Sequence, residues 1–208
     1  MSTAPKDLPA NKAKCTAPAP VPTHGPGGVF TVARAAAIAA PALTCIEKVL
    51  DLPNYAAWNK FIPTATITAP GRAEALTPAL RTLASRPGHA APGAKGRFEA
   101  VMAPGSAPRN VDLEVTLLEA FEDAGRTGYR VAWKSVGFPH FLLRSERVQE
   151  FVEDVSADGA VVTRYATWET FGGVLAYLVP RAALEDGFDR WTDGLKKIAE
   201  QAAAGPGS

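Results

Sequence analysis

The sequence predicts an α+β domain in which a curved, seven-stranded antiparallel sheet surrounds a long C-terminal helix, with two short helices after the first strand. Three observations predict it. Six segments between Thr64 and Phe171 have strand patterning and follow one another without an intervening long helix. A further strand and two short helical stretches precede them. The last segment, Arg181 to Ala203, places Leu184, Phe188, Trp191, Leu195 and Ile198 at alternating spacings of four and three, a single apolar stripe that one sheet must cover.

The chain has 208 residues, with 47% hydrophobic and 21% charged, which fits one globular core over residues 28–203. Residues 1–27 are rich in Pro, Ala and Gly and lack periodicity, so a disordered tail is expected there. The first strand runs from Val29 to Ile38. Pro41 opens a helix whose Leu43, Ile46 and Leu50 recur at helical spacing, and Asn54 to Phe61 forms a second helical turn that ends at Pro63. Thr64 to Ala69 is the second strand. Pro70 to Lys95, with four prolines and three glycines, is too long for an ordinary connection. It is either a flap over a cavity mouth or a surface excursion, with a helix between Glu74 and Ser85.

From Gly96 the period changes to two. Phe98 to Ala103 is followed by a strand in which Val111, Leu113, Val115 and Leu117 share one face and Asp112, Glu114 and Thr116 the other. Glu122 to Gly128 reads as a turn into Tyr129 to Val136. Ser145 to Val155 and Ala160 to Phe171 complete the sheet, joined at Asp158-Gly159. On the final helix, Asp186 with Arg190 and Asp193 with Lys197 are i,i+4 pairs on the wet face, and GPGS terminates it.

One helix cannot fill the concave side of so large a sheet, so a largely apolar pocket is expected between them. The segments APALTCIEKVLDLPNYAAWNKF, FLLRSERVQEFVEDVSADGAVVTRYATWETFGGVLAYLV and GFDRWTDGLKKIAE resemble the START-like, Bet v 1-like (SRPBCC) superfamily, in its polyketide cyclase and coenzyme Q-binding branch. The resemblance covers roughly residues 29 to 200. It implies the helix-grip fold and an apolar ligand such as a lipid, quinone or polyketide. Some members of the superfamily catalyse ring closure.

The net charge of +1, from 22 basic and 21 acidic residues, gives no reason to expect nucleic acid as a partner. No run of eighteen apolar residues suggests stable membrane insertion. A cytoplasmic protein, monomer or weak dimer, is expected. Lysines among the first fourteen residues leave a mitochondrial presequence open, although the prolines there would break its helix. Neither the two cysteines nor His24, His89 and His140 have metal-site spacing, so no metal or cofactor is expected. HExxH, GxSxG, P-loop and GxGxxG signatures are missing.

The sharpest signal lies in the last two strands. Arg147 and Gln149 fall on one face and Arg144, Glu146 and Glu150 on the other, so either register buries polar groups unless they reach solvent at strand ends. The next strand sets Arg164 and Trp168 against Thr163, Tyr165, Thr167 and Glu169. Glu169, if inward, is a candidate acid or base, with Arg147 or Tyr165 stabilising an oxyanion. Phe98, Tyr129, Trp133 and Trp168 either line the pocket or are core, and His140 sits at a strand connection where a rim would fall. The expected ligand-binding set is therefore Phe98, Tyr129, Trp133, His140, Arg147, Tyr165, Trp168 and Glu169. Two functions compete: a carrier of a hydrophobic small molecule, and a cyclase or isomerase using the same cavity. A protein-interaction module without a cavity is a third.

Overall fold

The strands are β1 (Lys14–Thr16), β2 (Phe30–Ile38), β3 (Thr64–Ala69), β4 (Lys95–Ala100), β5 (Arg109–Asp123), β6 (Arg126–Ser135), β7 (Arg144–Val155) and β8 (Val161–Gly172). The helices are α1 (Ala42–Leu50), α2 (Pro78–Ala84) and α3 (Arg181–Ala204), with 3-10 turns at Leu52–Ala57 and Val174–Leu178. This computed structural model describes residues 1–156 and 158–205; of the terminal GPGS, Pro206 to Ser208 lie outside the described residues.

All eight strands join one open antiparallel sheet in the order β1-β2-β8-β7-β6-β5-β4-β3. The expected seven-stranded helix-grip sheet is thus corrected to eight strands. The additional strand comes from residues 1–27, where Lys14, Cys15 and Thr16 pair with Ala33, Val32 and Thr31. Composition hid it because Pro and Ala lower strand propensity, whereas backbone pairing with β2 needs only three residues in register. The N–H groups on its open side do not face water: Ala13 donates to Asp189 at 2.8 Å and Cys15 to Glu185 at 2.7 Å, both on α3. Acids of the helix thereby cap the sheet edge.

One face of the sheet packs on α1 and α3. Val32, Val115, Trp133, Phe151 and Tyr165 from the strands meet Ile46, Val49 and Leu50 of α1 and Leu184, Phe188, Trp191 and Leu195 of α3 in the main core. Each such large side chain contributes about 1.5–3 kcal/mol by leaving water. Arg34 of β2 holds α3 through Asp189 at 2.9 Å and Asp193 at 2.7 Å. Asp193 is therefore taken by the sheet instead of the expected Lys197, while Asp186–Arg190 forms at 2.8 Å and Lys196–Glu200 at 2.9 Å.

The other face carries a second cluster, in which Ala19 and Val21 cover Ala33, Ala132, Val148 and Trp168. The N-terminal segment runs across this face as a strap. It ends the ambiguity over β7: Arg147 and Gln149 point toward α3, and Glu146 and Glu150 point outward yet are buried, at 0% and 1% exposure. Both carboxylates are satisfied by the strap. Thr23 donates to Glu146 from its backbone at 2.7 Å and from its hydroxyl at 2.8 Å. Ser2 and Thr3 donate to Glu150 at 2.5 and 2.9 Å, and Arg130 donates to it at 2.7 Å.

Other differences from expectation are local. A bulge between Val115 and Leu117 breaks the alternation of β5, so Leu117 joins the outer cluster and Leu118 takes its place in the main core. The β5–β6 turn narrows to Ala124-Gly125, both at positive φ, which suits a two-residue hairpin. The second helical stretch is the 3-10 turn Leu52–Ala57, and the 70–95 insert packs α2 inward through Leu80 and Leu83. No described helix is long and apolar enough to cross a membrane.

Two glycines let α3 lie close to the chain after the 3-10 turn. A Cβ on Gly187 would stand 2.5 Å from the Phe61 ring, and one on Gly194 2.3 Å from the Trp58 carbonyl oxygen. A backbone atom cannot swing aside as a ring can. Gly194→Ala is expected to destabilise by about 1–3 kcal/mol, read as a lower urea midpoint with unchanged slope; an unaltered midpoint would contradict this packing.

Candidate functional site: a cavity with a charged floor

Between the sheet, α3 and the 137–143 connection lies a cavity of about 640 Å³, within the range of small-molecule sites. Its walls are apolar: Phe61, Phe98, Met102, Leu113, Leu143 and Leu184 contribute among others. Strand geometry explains which sheet residues reach it. Phe171 and Ser145 lie nearest the mouth, and Trp133, Arg147 and Glu169, in register on neighbouring strands, form the next row inward. Residues one step deeper, Val131, Gln149 and Thr167, do not line the space. Trp133, Arg147 and Glu169 therefore make its floor.

The mouth is mixed: Arg109, Asn110 and Asp112 of β5 line its outer end beside apolar side chains. Phe138 and Leu178 line it and are 58% and 78% exposed. The two segments that carry them are joined by backbone hydrogen bonds, from Val174 to Phe141 at 3.0 Å and from Leu175 to Leu142 at 2.8 Å.

Arg147 is 2% exposed. Its guanidinium carbon lies 4.1 Å from the centroid of Phe188 and 4.2 Å from that of Trp191, both on α3. Its Nε donates to Thr167 Oγ1 at 3.1 Å, and Nη2 is buried without a hydrogen-bond partner. Among the described residues no carboxylate forms an ion pair with it at 4.0 Å or less. Contact with two aromatic faces is worth about 2 kcal/mol when desolvated, less than the several kcal/mol that burying an unpaired ion costs.

Glu169 stands directly across from Arg147 on β8. Burial pushes its carboxyl above the ordinary glutamate value, and the Arg147 charge and Ser145 oppose that rise. Tyr165, deeper on the same face, donates to Gln149 Oε1 at 2.6 Å and accepts from Trp191 Nε1 at 3.1 Å. Burial raises its phenol as well.

Of the expected site residues, Phe98, Trp133, Arg147 and Glu169 line the cavity together. The other four do not. Tyr165 is committed to the core network, and Tyr129 packs against the core from β6. Trp168 points the opposite way, because Glu169 points in, and its indole N–H donates to Pro20 of the strap at 3.1 Å. His140 lies on the 137–143 connection with its ring 4.4 Å from that of His24. Phe61 closes one side, while Trp58 stacks edge-on with Trp191 at 5.2 Å. The insert contributes no lining residue. Leu113, Ser145 and Phe171 were legible by alternation from the register of Arg147 and Glu169; Met102 and Leu143, in connections, carry no such signal.

No family model matches the chain. A curated relative, oxopyrrolidines biosynthesis cluster protein O of Penicillium oxalicum, is 34% identical over 152 residues, covering 68% of this chain and 71% of the relative. The chain belongs to the family of that protein. Identity of this extent spans most of both chains. Family membership assigns no role to a residue of the cavity. Among solved structures, the hypothetical protein jhp0584 from Helicobacter pylori is similar, with a TM-score of 0.53 and 16% identity over 80% of this chain and 86% of that one. That likeness speaks to the fold alone.

A carboxyl raised by burial favours the folded state while protonated, and that contribution is lost as pH rises through the folded value. Glu169→Gln removes the ionisation. The stability of this variant relative to wild type is expected to grow as pH is raised above the ordinary glutamate value of 4.5, measured by denaturant unfolding from pH 4.5 upward. A difference that stays constant with pH would show that Glu169 ionises as it does in water.

Proposed function

We propose that this protein encloses a hydrophobic small molecule in the cavity between sheet and α3, as a carrier. The observation that carries the reading is a 640 Å³ space with largely apolar walls, too large to be a packing defect in an interior of normal density. The relative's name associates it with an oxopyrrolidines biosynthesis cluster. We extend that association to this chain, so that its ligand is a small product or intermediate of biosynthesis. The resemblance to the START-like superfamily, in its polyketide cyclase and coenzyme Q-binding branch, supports the same class of ligand. The protein would act as a monomer or weak dimer in the cytoplasm.

A second reading is favoured by one feature, the cross-strand placement of Glu169 and Arg147 on the floor. A carboxyl shifted toward neutrality beside a fixed cation is suited to moving a proton on an enolisable substrate, with Arg147 stabilising the oxyanion. Tyr165 is occupied by Gln149 and Trp191 and takes no part.

Native mass spectrometry and organic extraction of the protein from its own source test the first reading. A stoichiometric lipid, quinone or polyketide is expected. Leu184→Trp, which adds bulk to the cavity wall from α3, should weaken its retention with the far-UV spectrum unchanged. Failure to retain or bind any of a panel of such compounds would refute the carrier. The second reading expects Glu169→Gln to slow deuterium exchange into an enolisable ligand by about 100-fold or more, with binding retained.

A further inference from the structure

We infer that the ligand is an apolar body ending in one planar acidic oxygen group, a carboxylate or the enolate of a β-dicarbonyl, and that it binds with this group on Arg147. The inference rests on the cavity being a ligand site and specifies the ligand's chemistry and orientation.

Arg147 is a permanent cation in protein surroundings. Nothing among the described residues neutralises it by ion pairing, and Nη2 has no acceptor. Its two aromatic neighbours hold the guanidinium in place on the cavity wall. An acidic oxygen would supply the missing charge and acceptor at once, in the planar geometry that a guanidinium matches best.

The surroundings narrow the class further. Glu169 occupies the same row. Burial raises its carboxyl above the ordinary glutamate value, which lessens the repulsion an incoming anion would meet there. A cationic head group would meet Arg147 directly and is excluded by like charge. A doubly charged phosphate would find a single floor cation, since the other lining base, Arg109, is exposed on β5. A hydrocarbon would leave Nη2 without an acceptor.

Orientation follows from where the polar groups are. Above the floor, Phe98, Leu113 and Leu143 provide apolar wall, and at the mouth Phe138 and Leu178 stand beside the solvent-exposed Arg109 and Asn110. A ligand with its acid at the outer end would meet only the solvated Arg109 and leave the buried Arg147 Nη2 without an acceptor. Acid-end-first entry satisfies Nη2 and leaves the hydrophobic body against hydrophobic wall.

Matched probes test this on the full-length protein by isothermal titration at pH 7.5. Decanoate is compared with methyl decanoate, and 4-hydroxy-3-phenylcoumarin with its 4-methoxy ether. At least one acid should bind about tenfold or more tightly than its methylated partner, and whichever acid shows it identifies the source as carboxylate or enolate. Arg147→Met should abolish that preference while the methylated probe still binds. Equal binding of acid and methylated forms overturns the acidic-ligand inference and leaves the cavity reading standing. Binding of none of the four overturns the inference too, and combined with an unliganded, panel-negative protein removes the cavity reading with it. The wild-type comparison decides the matter even where Arg147→Met fails to fold.

Discussion

A buried cation with no ion-pair partner among the described residues organises the interior. Arg147 is placed by β7, clasped by Phe188 and Trp191 of α3, and tied through Nε to Thr167 of β8. It thus links the helix to two central strands, and it also ends the cavity. An aliphatic residue at this position would permit a simpler core, because burying an unpaired ion costs more than aromatic contact returns. The charge stands on the cavity wall across from Glu169, with Nη2 lacking a hydrogen-bond partner among the described residues.

The strap answers the complementary problem on the other face. A strand with Arg147 and Gln149 inward must turn Glu146 and Glu150 outward, and both outward carboxylates are buried. The strap supplies hydroxyl and backbone N–H donors to each, and Arg130 adds a charge to Glu150. Trp168 finds its indole partner in the same segment. Both faces of the central strands are therefore covered, one by helices and the cavity, the other by residues that look featureless in composition.

Closure at the sheet's first edge follows the same logic. Backbone donors of Ala13 and Cys15 meet Asp189 and Glu185, and Arg34 reaches Asp189 and Asp193. The acids that look like a wet helix face are, on this side, the seam between α3 and the sheet. That is why the i,i+4 pairing of Asp193 with Lys197 gives way to a contact distant in sequence.

Local pattern by itself determined the order of elements after β1, the apolar stripe of α3 and most strand positions, because side-chain period and proline placement act over a few residues. It also singled out β7 and β8 as the strands where charge would matter, and named Arg147 and Glu169. Only the tertiary structure decided which face of those strands points inward, since a period-two pattern with polar residues on both faces has no preferred side. Once that was set, Trp168 and Tyr165 left the cavity and Phe98 and Trp133 stayed. The bulge at Thr116, the eighth strand and the strap depend on partners more than ten residues away in sequence. Such contacts leave no local period to read, and they decide where the cavity lies and which charge stands at its floor.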